Sequence, residues 1–173
     1  KQVVGLIRTN FLKRFESSVA SFEISCDRLL KKLLAFLEVH SDTPDEIERL
    51  EQWKIANAEI LRFANQRHLD FWNDDSDEED DEDIVPPELL DAVEHLDRND
   101  YDVAEMMSET FQDLDQIVEF LDESRKFEPK HDDKLQKLVR LLKTKGLSGQ
   151  KVLIFTEFAD TARYLKRELD TAG

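Results

Sequence analysis

Between Leu12 and Phe36 apolar side chains return every three or four residues with no glycine or proline to interrupt them, and this run limits the fold more than any other feature. Leu12, Val19, Cys26 and Leu33 fall on one heptad position, and Phe15, Phe22, Leu29 and Phe36 on another. The spacing predicts an amphipathic helix from about residue 6 to residue 38, on the order of 50 Å long at about 1.5 Å per residue. A helix of that length has to be covered along one face. Four Gly and four Pro in 173 residues leave few turns for a β fold, and 40% hydrophobic residues suffice for a modest core. The expectation is therefore a mainly α fold, with long antiparallel helices forming a bundle or hairpin.

The remaining punctuation fits that reading. In SDTPDEIE, Thr43 or Ser41 can cap a helix, Pro44 suits a first helical position, and Asp45, Glu46 and Glu48 complement the helix dipole. Residues 45–72 then continue as one helix, with Ile47, Leu50, Trp53, Ala56, Ile60, Ala64 and Phe71 near one stripe. After Pro86 and Pro87 a short helix is expected over ELLDAVEHL, interrupted at Asp97 to Asp100. A second long helix at about 101–126 carries Val103, Met107, Thr110, Leu114, Ile117 and Leu121 on one face. Its length suits antiparallel pairing with 6–38. Pro129 ends that run; a helix over 131–143 points Leu135, Leu138, Val139 and Leu142 inward, and Gly146 is placed to terminate it.

Charge is distributed in blocks. Residues 1–34 carry seven Lys/Arg against three Asp/Glu, residues 35–128 carry seven against thirty-one, and residues 129–173 carry ten against six. The net of −16 is thus an acidic middle between basic ends. Within it, DDSDEEDDED at 74–83 has nine acidic residues in ten and no apolar anchor, the composition of a solvated loop. Such blocks suggest a basic working surface flanking an acidic insertion. The single cysteine, Cys26, excludes an internal disulfide and fits a reducing compartment. No stretch approaches the roughly 20 apolar residues that span a bilayer, and there is no signal-peptide h-region, so no membrane partner and a cytoplasmic location are expected.

VLIF at 152–155 departs from the helical pattern. Four consecutive apolar residues bounded by Lys151 and Thr156 describe a strand covered on both faces, followed at once by a helix over Thr161–Leu169 with Asp160 as its N-cap. A strand of that kind needs neighbours, because each buried backbone group left without a partner costs roughly 1–3 kcal/mol. VVGLI at 3–7 is a weak candidate, so the expectation is that the partner strands lie beyond Gly173 and that the chain, which begins at Lys1, is part of a longer one.

With its preceding Leu-rich helix and Gly-containing connection, KVLIFTEFADTARYLKREL resembles the opening of the second RecA-like lobe of superfamily-two helicases, whose fourth motif reads hxIFxxFxxTxxxL. GLIRTNFLKRFESSVASF at 5–22 is similar to the segment that follows the first lobe in bacterial Swi/Snf-type helicases, commonly ending in LLKRxESS. The resemblance implies three regions: a long helix over 1–40 after lobe one, an acidic helical insertion over 41–128, and the start of the C-terminal lobe over 129–173, with a terminal βα unit of a truncated RecA-like domain. It also implies a parent that couples ATP hydrolysis, with Mg2+, to movement along DNA. No phosphate-cradling G-x-x-x-x-G-K-[ST] loop, no strand-borne Asp-Glu pair and no arginine-finger motif occurs here, so this segment links the lobes and is not expected to hydrolyse ATP alone.

The resemblance further implies phosphate contact by Thr156 and the amides of the following helix, against the plainer reading that Thr156 merely ends a strand; Phe155 and Phe158 are expected as core because such apolar residues are usually buried. Arg8, Lys13 and Arg14 are the candidate DNA-backbone cations near the first helix, against the plainer reading of solvated charge. Glu16, Ser17 and Ser18 belong to the family-like stretch with no chemistry assigned. The acidic tract lacks the glycine and ligand spacing of a calcium loop; a sharper expectation is that it imitates a polyanion and competes for the basic DNA channel. His40, His68, His95 and His131 are not spaced as metal ligands, and no serine sits in a nucleophile-elbow context, so no catalytic or metal residue is expected. The competing class is a non-enzymatic module in which the heptad face of 12–36 forms a coiled coil.

Overall fold

The first helical run is divided where the sequence places three hydroxyls among apolar residues. Residues 11–17 form α1, Ser18 interrupts, and α2 follows as Val19–His40. Ser18 Oγ accepts from the Ser21 amide at 3.1 Å, as an N-cap does. The i→i−4 bonds Ser18 N to Arg14 O and Phe22 N to Ser18 O nonetheless persist, at 3.0 and 3.2 Å. The single helix expected over 6–38 is therefore two, joined at a residue whose side chain competes for the backbone.

The computed structural model describes residues 11–72, 87–147 and 149–172. Beyond α2 they form α3 (Pro44–Ala56), α4 (Ala58–Trp72), α5 (Pro87–Asp91), α6 (Val103–Ser124), a 3-10 turn at Pro129–His131, α7 (Asp133–Leu142) and α8 (Ala159–Ala172). Every regular element among the described residues is helical. The strand expected at 152–155 is not formed: residues 151–156 carry no strand pairing, because no partner edge is present among the described residues. VVGLI, Arg8 and the acidic tract 74–83 lie outside them.

Two compact units are distinguished, Cys26–Glu123, and Lys1–Ser25 with Ser124–Gly173. In the first, α2 contributes buried Leu30, Leu34 and Leu37, α3 Leu50, and α4 Ile60, Leu61 and Ala64. On α6, every residue expected on the inner face is buried, with Phe111 in addition. The Arg49 guanidinium lies 4.1 Å from the Phe111 ring centroid, and the Trp53 indole N–H donates to Asp115 at 2.7 Å. Both partners advance by four residues together, so α3 and α6 run in the same sense along this seam. Lys54 Nζ meets Glu38 of α2 at 2.7 Å, and Lys31 Nζ donates to Asn65 of α4 at 3.4 Å.

The register of α2 differs from the heptad reading by one residue. Ala20, Ile24, Asp27, Leu30, Leu34 and Leu37 are buried, while Val19, Phe22, Leu29, Leu33 and Phe36 are only half-buried; of the expected seam within α2, Cys26 alone is fully enclosed. Leu29/Leu30 and Leu33/Leu34 satisfy either register. Ser21, Glu23 and Asp27, buried in the true stripe, conceal it. Similarly, the helix expected over 45–72 breaks at Asn57, whose Nδ2 donates to the Trp53 carbonyl at 2.9 Å, and Ile47 and Ile55 are exposed. The short helix after Pro87 stops at Asp91 rather than reaching Leu96.

The corner between α2 and α3 is specified by local chemistry. Of the two caps the sequence offers, Thr43 is the one used; it forms a capping box with Glu46, and Pro44 takes the first helical position. Arg98 donates to Asp42 (3.0 Å), Glu46 (2.9 Å) and the His40 carbonyl (2.7 Å). His40 is buried with Nδ1–H donating to the Phe36 carbonyl (2.7 Å) and Nε2 accepting from the Leu96 amide (3.0 Å), which fixes its tautomer. His95 stacks on it at 5.2 Å. Four polar contacts and one ring stack thus hold the 95–98 segment on this corner.

Candidate functional site

The residues that carry the family resemblance come together in the second unit, where α1 and the start of α2 meet α7 and α8. Asp132 is the origin of the arrangement. Its Oδ1 accepts from the Leu135 amide at 3.0 Å and caps α7, while its Oδ2 accepts from the Tyr164 hydroxyl of α8 at 3.0 Å. Burial, together with the carboxylate beside it, pushes the Tyr164 hydroxyl well above the usual phenol range, so it stays a donor. At the other end of α7, Lys143 Nζ donates to the Ala172 carbonyl at 2.9 Å and so satisfies the last turn of α8. The contacts 132 to 164 and 143 to 172 advance together, so α7 and α8 run parallel.

Two parallel helices in sequence need a return segment, and here it is residues 143–158. Within it Val152 is 40% exposed, Leu153 83%, Ile154 42% and Phe155 90%. Phe155, expected in a core, is the most exposed of the four. Leu141 on α7 is also exposed, and Leu138, Val139 and Leu142 are half-buried, leaving Leu135 as the buried residue of that helix. The two helices are thus joined through an apolar stretch that carries no strand pairing and is largely exposed.

The N-terminus of α8 is built by polar contacts to α1. Helix α8 begins at Ala159, so Asp160 is not its N-cap but lies in its first turn, 5% exposed. Asp160 Oδ2 meets Arg14 Nη1 at 3.3 Å and its Oδ1 meets Arg163 Nη1 at 3.5 Å. The same Arg14 guanidinium lies 4.8 Å from the Phe158 ring centroid. Arg14 is thus engaged from both sides, whereas Lys13 is exposed. Thr156 Oγ1 accepts from the Phe158 amide at 3.4 Å, directly ahead of α8. Next in order, Thr161 Oγ1 lies 2.7 Å from Ser17 Oγ and 2.9 Å from Ser18 Oγ. Ser18 Oγ already accepts from Ser21, so its hydrogen is free for Thr161, whose own hydrogen can then reach Ser17. Lys134 Nζ donates to the Glu16 carbonyl, bringing α7 to the same junction.

Of the candidate DNA-backbone residues, Arg14 and Thr156 are brought to the same helix start, Lys13 lies on α1 and Arg8 is outside the described residues. Sequence reasoning missed the partners of the serines and of Asp160. The signal available was FESSVAS itself, three hydroxyls inside a helical apolar pattern where solvent exposure was not expected. Among the described residues no group of three His, Cys, Asp or Glu is arranged to hold a metal. His40 and His95 do meet, though their spacing gave no sign of it, and both His40 nitrogens are engaged with backbone. No described helix is long and apolar enough to cross a membrane. Comparison of the chain with family models, with curated proteins and with solved structures gives no match.

Proposed function

We propose that this chain is the interlobe segment of an ATP-dependent DNA helicase or translocase of the Swi/Snf-like class, with residues 129–173 forming the first βα unit of its second RecA-like lobe. The observation that supports this most directly is the exposed VLIF stretch between the parallel helices α7 and α8. Removing four such side chains from water is worth on the order of 25 cal/mol per Å² of apolar surface, which a covering sheet would supply. On this reading 152–155 becomes a strand when its neighbours are present. Thr156, the first amides of α8 and Lys13 then face the DNA backbone, and ATP and Mg2+ are held elsewhere in the motor.

The test is DNA-stimulated ATP hydrolysis by the complete gene product, together with its reading frame. A phosphate loop upstream, an arginine-bearing motif downstream and stimulation by DNA are the expected result. A frame lacking both motifs, with no stimulated hydrolysis, overturns the assignment. The acidic tract adds a regulatory element in this reading, since a −24 block sits in a machine whose substrate is also polyanionic. Deleting residues 74–83 from the complete protein should raise DNA affinity or DNA-independent ATPase rate several-fold. Identical binding isotherms and basal rates would remove that element.

The coiled-coil module is the second reading, and Leu12 (58% exposed) and Phe15 (54%) are the observation in its favour. It requires an obligate oligomer by light scattering; a monodisperse monomer removes it.

A further inference from the structure

We infer that Arg14, Ser17 and Ser18 on one side and Asp160 and Thr161 on the other form a polar latch that positions the first turn of α8. Resting on the helicase reading above, this makes Thr161 a positioning residue for DNA-stimulated ATP hydrolysis.

The case begins with what these contacts cost. Asp160, Thr161 and Ser18 are each about 5% exposed, and groups so buried lose free energy unless they are paired. Apolar side chains in the same volume would hold two helices together at least as well, but with little preference for one register. Hydroxyl contacts of 2.7 and 2.9 Å and an ion pair of 3.3 Å are directional and fail within about 1 Å of sliding. The cluster therefore specifies position.

Its location gives that specification a use. The partners are 143 to 146 residues apart in sequence, so the latch is made by tertiary structure alone. Ser18 Oγ serves two elements at once, as acceptor for the Ser21 amide at the start of α2 and as partner of Thr161. Displacing α8 consequently disturbs the start of α2, and loss of that start disturbs α8. Arg14 adds a second tie, bridging Asp160 and the face of Phe158, two residues after Thr156. The α8 terminus that meets DNA in the proposed motor is thus fixed by α1, not by its own sequence.

Two measurements on the complete protein separate the latch from the motor. The first is a double-mutant cycle of Ser18→Ala and Thr161→Val in chemical denaturation, with hydrogen exchange at Ser21 and at residues 160–164. Coupling is expected: the double variant unfolds at the same denaturant concentration as the weaker single variant, and each single variant speeds exchange on both sides at least tenfold. Additive midpoints, or exchange changed on the mutated side alone, overturn the latch whatever the motor does. The second is steady-state ATPase at saturating DNA. Thr161→Val is expected to lower kcat about tenfold with KM for ATP unchanged, and Thr161→Ser, which keeps the hydroxyl, to restore it. An unchanged kcat, or a loss that Thr161→Ser does not restore, overturns the positioning role while leaving the helicase reading intact. Unmutated protein without DNA-stimulated hydrolysis removes the reading and this role with it, and the denaturation cycle still decides the latch.

Discussion

Helices α2 and α6 are both 22 residues long, yet they are built on different principles. On α6 the buried residues form one stripe, Val103, Met107, Thr110, Phe111, Leu114, Ile117 and Leu121, with charged residues elsewhere. On α2 the buried stripe mixes Leu30, Leu34 and Leu37 with Ser21, Glu23 and Asp27, while large apolar side chains such as Phe22 and Phe36 stand half-buried beside it. The first arrangement is what an element needs when one face meets a core. The second belongs to an element whose buried face is not purely apolar. Periodicity reports register in the first case and only helicity in the second.

The largest effect that would break this comparison concerns register. Leu34 is fully buried and Leu33 half-buried, so Leu34→Ala should destabilise by about 3 kcal/mol and Leu33→Ala by about 1 kcal/mol, read from urea denaturation midpoints. Leu114→Ala on α6 should resemble Leu34→Ala. The opposite order at 33 and 34 would restore the heptad register and equate the two helices after all.

A smaller effect tests the polar stripe itself. Asp27 is 2% exposed with Lys31 Nζ 3.1 Å from Oδ2, and burial raises its pKa above the ordinary 3.8 despite the attraction of Lys31. A carboxyl whose folded pKa is raised weakens the fold when ionised, so the penalty is present at neutral pH and disappears as pH falls through the folded value towards 3.8. Asp27→Asn should therefore stabilise by about 1 kcal/mol at pH 7, and the advantage should vanish in acid. A loss of stability at pH 7 would mean that the ion pair outweighs the desolvation.

The smallest effect lies at the helix ends. Hydrogen bonds from Arg98 hold the Glu46 carboxyl down to about 2, with the Thr43 backbone and hydroxyl adding to them. That stabilisation is complete above pH 4.5 and is lost as pH falls towards 2. Glu46→Gln should cost about 1 kcal/mol at pH 7 after allowance for solvent screening, with the difference from the parent closing between those limits.

These comparisons also mark what was legible in the sequence. Thr43 and Pro44 announced the α3 start because capping is local, with Ser41 as the alternative cap, and the α6 face was readable because its apolar residues have a single period. The breaks at Ser18 and Asn57 were not readable: each arises from a polar side chain turning back on nearby backbone inside an otherwise helical pattern. Asp160 has the composition of a cap but is drawn inside the helix by Arg14, a partner 146 residues away. The apolar run 152–155 has strand composition but no edge to pair with among the described residues. Of the candidate residues, Arg14 and Thr156 were named from their type alone, whereas their neighbours Ser17, Ser18 and Thr161 were defined only by tertiary contact.

One practical consequence follows from Leu153 and Phe155. Seven residues, KVLIFTE, combine high β propensity with a proline-free, glycine-free backbone, and two of the largest side chains point to solvent. Such a stretch is a template for intermolecular cross-β pairing, and here only Lys151 and Glu157 stand as charged gatekeepers at its ends. Replacing Lys151 or Glu157 by a neutral residue should therefore promote association through this stretch before any other.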